Sequence, residues 1–231
     1  MSQSSSVAQG IFITGTDTGV GKTLVAAAFL RAFANRGLRA VGMKPVAAGC
    51  IEHHGRLINE DVIALVAASN VAAAEEDINP YGFQPPIAPH LAAALAGRPI
   101  SLEKIRTAYA ALCRKADRVV VEGAGGLLVP LDEVQDFADL ARVLELPVVL
   151  VVGMRLGCLN HALLSAEAIL SRGLQFAGWV ANTLDPDMAE FTANLQTLRA
   201  RLQAPLLGIL PFGPPDPAAA AELIELPFGQ R

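Results

Sequence analysis

Short apolar runs alternate with longer stretches of helical period along nearly the whole chain. Residues 11–13 read as a buried strand, followed by a glycine-bearing loop and an alanine-rich apolar helix that stops at Asn35-Arg36-Gly37. Residues 38–44 predict a second strand and 45–58 an exposed loop. Residues 59–68 predict a helix, with Asn59 as cap and Glu60-Asp61 as its acidic first turn. Four prolines between 77 and 90 predict a structured loop, after which 91–96 and 101–116 are helical, the latter capped by Ser101. A third strand spans 118–121, a helix 137–144, and the most apolar strand 147–152, which belongs at the centre of a parallel sheet. Helix 160–171, strand 176–180, helix 191–202 and strand 206–210 follow. Pro211 opens a proline-rich tail.

Strands alternating with helices imply right-handed crossovers and a mainly parallel sheet with helices on both faces. No repeat or composition break divides the chain, so residues 1–231 read as one α/β domain behind a polar tail at 1–9.

The first strand runs into Gly15-Thr16-Asp17-Thr18-Gly19-Val20-Gly21-Lys22-Thr23, and a helix follows. Strand, glycine loop, Lys-Thr and helix make up a phosphate-binding loop, which places the chain among P-loop NTPase-like folds. Glycines let successive N–H groups turn inward, and the helix N-terminus adds partial positive charge. Lys22 brings a full charge to the β- and γ-phosphates, and the Thr23 hydroxyl suits Mg²⁺. One irregularity stands out: Thr16 occupies the position where the usual pattern has its first glycine.

Composition narrows the partners. Apolar residues make up 52% of the 231, enough for a large core, and a net charge of −4 leaves no electrostatic footprint for nucleic acid. No membrane-spanning run and no secretory signal is present, and three scattered cysteines, Cys50, Cys113 and Cys158, suggest reduced thiols in the cytoplasm.

In open α/β sheets, ligands gather at the carboxyl ends of strands. Glu122 ends an apolar strand ahead of Gly123-Ala124-Gly125-Gly126, where a second carboxylate for Mg²⁺ is wanted. Lys44 also ends a strand. Its ammonium suits a second anionic centre or, equally, a solvated surface. Asp61 at a helix start is explained by the helix dipole alone. His53 and His54 lack a metal-ligand partner at helical spacing and read as loop surface, and His161 near a helix start and His90 after Pro89 read as structural. Cys158 has no evident base, and Trp179 reads as core.

The set of motifs resembles the dethiobiotin synthetases of biotin biosynthesis. It comprises the loop from Gly15 to Thr23, Lys44-Pro45-Val46-Ala47, Asn79-Pro80-Tyr81 with Pro89-His90, and Val121 to Gly126. Leu156 to Ala162 and Gly178-Trp179-Val180-Ala181-Asn182 complete it. These stretches lie in family order over residues 10–213. The resemblance implies an ATP- and Mg²⁺-dependent cyclo-ligase that carboxylates 7,8-diaminononanoate with CO₂ and closes a urea ring. The path runs through a carbamate and a carbamic–phosphoric anhydride.

By position the resemblance makes Thr23, Asp61 and Glu122 the Mg²⁺ set, and Lys44 with Lys22 the catalytic lysines. ATP contacts fall to Gly19, Val20, Gly21, Lys22, Thr23, Leu24, Asp61, Glu122, Gly123, Ala124 and Gly125. On the adenine side they fall to Asn182, Thr183, Pro211, Phe212 and Gly213. Substrate contacts fall to Thr18, Lys44, Ala48, Gly157 and Asn160, the last two reaching the partner's substrate in a homodimer. Three positions depart from the family. Ala48 and Ala88 stand where serines are frequent, and Gly19 where some members carry Glu. A lost substrate hydrogen bond costs about 0.5–1.5 kcal/mol. The alternative is a partition- or septum-type ATPase switch, whose loop carries an early second lysine where this chain has Asp17. Cobalamin-type amidotransferase ligases need a glutaminase domain that 231 residues leave little room for.

Overall fold

A computed structural model describes residues 9–213 and 216–227. In chain order the elements begin with β1 (Gln9–Gly15), α1 (Lys22–Ala34), β2 (Ala40–Met43), β3 (Val46–Ala47), β4 (Ile51–His53) and β5 (Arg56–Ile58). Next are α2 (Glu60–Ala68), α3 (Glu75–Ile78), β6 (Tyr81–Gly82), α4 (Pro89–Leu95), α5 (Leu102–Cys113) and β7 (Arg118–Glu122). The chain continues through α6 (Phe137–Val143), β8 (Val148–Met154), α7 (Cys158–Ser171) and β9 (Phe176–Thr183). It closes with α8 (Phe191–Arg201), β10 (Leu206–Leu210) and α9 (Pro217–Ala221).

The main sheet has the order β10-β9-β8-β1-β7-β2, and every pairing in it is parallel. Side chains alternate between its faces with the period of 2 that a strand imposes. Ile11, Ile13, Val120, Val149 and Val151 pack with α1, α2 and α9 on one face. Phe12, Val119, Val121, Leu150 and Val152 pack with α5, α6, α7 and α8 on the other. Burial on both faces explains why β8 is apolar throughout. The order reverses at β1, which lies between β7 and β8, so the crevice falls beside the phosphate loop.

Both sheet edges are blocked against further pairing. Along β2, Asn70 Oδ1 accepts from the Ala40 N–H at 2.7 Å and Ser69 Oγ from the Gly42 N–H at 3.0 Å. Along β10, Gly208 bridges Ile224, and the Glu225 N–H donates to the Leu207 carbonyl at 2.6 Å. A Cβ on Gly208 would stand 2.4 Å from the Leu223 carbonyl, so the close crossing requires glycine there.

Three expectations change. Residues 45–58 are not one exposed loop. Val46 and Ala47 are fully buried in β3 and pair with β6, while β4 and β5 form a hairpin. Its two turn residues, His54 and Gly55, have φ of 51° and 75°, the left-handed pair that a two-residue hairpin turn demands. The proline-rich segment 77–90 contains β6 and the end of α3. The segment after Pro211 includes α9, which packs on α1. The polar tail lies outside the described residues except for Gln9, which begins β1.

Candidate active site

Three crossovers deliver the chemistry to the carboxyl edge of the sheet. The phosphate loop leaves β1, and α1 begins at Lys22, directly after Gly21, whose φ is 88°. A Cβ on Gly21 would lie 2.3 Å from Asn182 Nδ2. That amide, at the end of β9, donates to the Val20 carbonyl at 2.8 Å, so the loop backbone and the β9 terminus fit only through glycine. Thr16, the irregular position, is used twice. Its N–H donates to the Val151 carbonyl at 3.0 Å, and its hydroxyl accepts from the Gly153 N–H at 3.3 Å.

Lys44 follows β2 and is only 4% exposed. Its backbone is pinned on both sides. The N–H donates to the Ile78 carbonyl at 2.9 Å, and the carbonyl accepts from Asn79 Nδ2 at 2.6 Å. The ammonium donates to Glu122 Oε1 at 2.6 Å, Asp61 Oδ2 at 2.8 Å and the Gly123 carbonyl at 3.3 Å. Thr23 Oγ1 lies 2.7 Å from Asp61 Oδ1 and 2.9 Å from Glu122 Oε1. Four residues spread from position 23 to 122 therefore form one polar knot.

Asp61 is the second residue of α2, and the helix start is fixed by Asn59. Asn59 Oδ1 accepts from the Asp61 and Val62 N–H groups, while Nδ2 donates to the Ala48 carbonyl at 3.3 Å. One side chain thus fastens the acidic helix to the segment that follows Lys44.

Burial sets the electrostatics. It lowers Lys22 to about 8, helped by repulsion from Lys44, against the pull of the carboxylates. Lys22 Nζ meanwhile donates to the Asp17 carbonyl at 2.9 Å. For Lys44, burial is the largest influence and works downward, but the attraction of Glu122 and Asp61 together raises it. Asp61 shows the converse: burial pushes upward, and Lys44 and the Thr23 hydroxyl outweigh it to leave the carboxyl below its ordinary range. Glu122 is 1% exposed; burial pushes its carboxyl up, against the pull of Lys44. Glu122 Oε2 is buried with no hydrogen-bond partner among the described residues.

The remaining sequence-derived positions line the same edge. Thr18 and Gly19 cap the loop, Leu24 is in the first turn of α1, and Gly123, Ala124 and Gly125 follow β7. Ala48 follows β3. Thr183 ends β9 and donates to the Leu210 carbonyl at 2.8 Å, drawing Pro211, Phe212 and Gly213 toward Asn182. Gly157 and Asn160 begin α7 and share no hydrogen bond with the Lys44 knot among the described residues. Sequence reasoning quoted Asn79 within the Asn79-Pro80-Tyr81 motif without its hold on Lys44, and gave Arg155 no role. Asn79 carried a signal, since it precedes Pro80 in a segment too structured for a plain loop. Arg155 pairs with Asp17 across 138 positions, and no local pattern announces that.

Comparison with known proteins shows the family of the chain. A family profile described as an AAA domain matches residues 9–215. The ATP-dependent dethiobiotin synthetase BioD of Nitrosospira multiformis is 57% identical over 204 residues, 88% of this chain and 88% of that protein. This chain belongs to the dethiobiotin synthetase family. The synthetase of Aromatoleum aromaticum is 52% identical across 94% of this chain and 96% of its own length, and that of Xylella fastidiosa 51% across 91% and 94%. The family makes the chain a ligase of biotin biosynthesis.

Among solved structures, the MinD cell division protein of Aquifex aeolicus aligns with a TM-score of 0.56 at 17% identity, covering 90% of this chain and 84% of that one. A ParA family ATPase of Chlorobium tepidum aligns with a TM-score of 0.53 at 12% identity, covering 89% and 85%. At such identity the likeness establishes a shared P-loop fold and nothing more.

Proposed function

We propose that this member of the family joins CO₂ to 7,8-diaminononanoate at the expense of ATP, giving dethiobiotin, ADP and phosphate. The observation that carries the reading is Lys44. A lysine with 4% exposure, held 2.6 Å from Glu122 and 2.8 Å from Asp61, is a fixed positive charge joined through those carboxylates to Thr23 of the phosphate loop.

The chemistry needs that charge. A substrate amine adds to CO₂ and loses a proton, leaving a carbamate. A carbamate oxygen bonds to the γ-phosphorus as the bond to ADP breaks. The neighbouring amine then attacks the carbamoyl carbon, closing the five-membered ring. Phosphate leaves with its oxygen, and a proton is released. The first transfer brings one anion against another, so its barrier depends on fixed positive charge. Lys22 serves the triphosphate and Lys44 the carbamate. Lys44 is aimed by the anchoring of its backbone to Ile78 and Asn79, so little reorganisation of that charge is needed at the moment of reaction.

The donor set also fits Mg²⁺. Thr23, Asp61 and Glu122 offer hard oxygens, and the unpartnered Oε2 of Glu122 is a buried acceptor in want of a cation. These three would hold the ion, which supplies charge neutralisation at the phosphate oxygens. Asn182, Thr183 and residues 211–213 are assigned to the adenine side, and Thr18 and Ala48 to the diamine. A second copy of this chain is the proposed partner. Leu156, 95% exposed beside Gly157 and Asn160, marks the turn that would reach its substrate. No described helix is long and apolar enough to cross a membrane, and the cytoplasm is the proposed location.

Phosphate release with ATP, Mg²⁺ and bicarbonate, measured with and without 7,8-diaminononanoate, tests the reading. Release should depend on the diamine and be matched by a ureido product in the mass spectrum. Turnover indifferent to the diamine, with no such product, sinks it. A switch ATPase is not favoured, because Asp17, tied to Arg155, stands where those proteins carry a lysine.

A further inference from the structure

The phosphate loop is moored to the carboxyl end of β8 by three bonds of two kinds. Two are neutral and hold Thr16 to Val151 and Gly153. The third is ionic: Arg155 Nη2 donates to Asp17 Oδ2 at 2.7 Å, with side chains 46% and 48% exposed. Asp17 is placed awkwardly for a loop that receives a triphosphate. Its carbonyl holds the Lys22 ammonium at 2.9 Å, and its Oδ1 accepts from the Thr18 N–H at 2.7 Å. A bare carboxylate so close to the phosphate-binding lysine opposes an incoming polyanion. Among the described residues, Arg155 is the one cation paired with it.

We propose that Arg155 is a positioning residue for ATP: by pairing with Asp17 it cancels the carboxylate's charge at the mouth of the loop, while the two neutral Thr16 bonds suffice to keep the loop against β8. The inference rests on the loop being the ATP site. Arg155 acts through Asp17, and its effect belongs to binding more than to the chemical step. Opposed unit charges within several ångströms near a protein surface account for about a three- to tenfold change in affinity.

Calorimetric titration of the full-length protein with MgATP, paired with steady-state kinetics, tests this. Arg155→Ala should weaken ATP binding by about three- to tenfold, less so as salt rises, and leave kcat at saturating ATP within about twofold. Arg155→Lys should retain most of the affinity. Asp17→Asn alone, which keeps the acceptor for the Thr18 N–H, should bind ATP at least as tightly as wild type. The double variant Asp17→Asn/Arg155→Ala should recover wild-type affinity, because a neutral side chain needs no neutralising partner. Unchanged affinity in Arg155→Ala overturns the proposal, as does a double variant as weak as Arg155→Ala, which would mean direct contact with phosphate. A fall in kcat without a change in affinity overturns it too. Wild-type protein that fails to bind ATP at all would defeat the functional reading instead.

Discussion

Lys44 and Glu122 form a buried ion pair in which neither charge is optional while the other remains. Removing one partner of such a pair ordinarily costs about 3–5 kcal/mol, because an uncompensated charge is left behind. Here burial already pushes the Glu122 carboxyl toward its neutral form, so a neutral side chain at position 44 has a route to accommodation. Lys44→Gln should therefore fold, with a circular dichroism spectrum like wild type. Phosphate release and ureido product should both fall at least about tenfold, the loss of one fixed charge at a transition state between two anions. Activity unchanged by that swap would remove Lys44 from the mechanism. The sequence showed Lys44 as a strand-end lysine with an equal claim to the surface. What it concealed was the pinning of its backbone by Ile78 and Asn79, which turns the side chain inward.

At the scale of elements, α2 is a short helix whose first turn carries Asp61, and one side chain decides where it starts. Asn59→Ala removes both the cap and the tie to Ala48, and should cost about 1 kcal/mol of stability in urea titrations as well as activity. Asn59→Asp keeps a capping oxygen but loses the amide donor. Its stability should stay close to wild type while kcat falls, if the tie to the 48 segment matters for catalysis; equal kcat in Asn59→Asp and wild type would show that the cap alone suffices. A second element-level contact joins the starts of β2 and β7, where Arg39 pairs with Asp117 through two side-chain bonds and its backbone N–H. The Arg39 side-chain bond is the main reason that Asp117 is held below its ordinary 3.8. A depressed carboxyl contributes stability above its unfolded value and loses it as pH falls through the folded one. The difference in unfolding free energy between wild type and Asp117→Asn should be at most about 1 kcal/mol at pH 7, since both groups are exposed. It should shrink as the pH drops below 3.8, which urea titrations at several pH values would follow. Elements of this kind were the most legible part of the chain. Asn59, Ser101 and the apolar run at 148–152 announce themselves through local capping and burial. The β4–β5 hairpin did not, because its turn uses His54-Gly55 in place of the usual Asn-Gly, and its strands of three residues show no alternation.

Across the whole molecule, the C-terminal segment does more than trail from the sheet. Ala220, Ala221 and Ile224 are buried, and the bridge from Ile224 to Gly208 covers the open side of β10. Ending the chain at Gly213 should lower the melting temperature by roughly 5–15 °C, from about 2–4 kcal/mol of lost burial. It should also promote association of the uncovered edge strand, visible as concentration-dependent light scattering. No change in either would mean that α1 and β10 are self-sufficient. A short alanine helix gives little sequence signal, and its reason for existing is the apolar back of α1, which only the assembled fold reveals. The same holds for Arg155. Its partner lies on the first loop, and the two meet only because β8 pairs directly with β1.

That strand order has a consequence for how the chain comes into being. Among the described strands of the main sheet, β1 and β2 are made before the others, yet they do not pair with each other; both take β7 as a neighbour, and the other side of β1 belongs to β8. Until residues 118–122 leave the ribosome, the nascent chain has no partner for either strand, while the apolar α1 is already made. The first half of the protein is born unable to begin its own sheet. Between residues 44 and 118 the emerging chain therefore carries apolar strand and helix faces without their sheet partners, the condition in which a folding chain is most open to association with others.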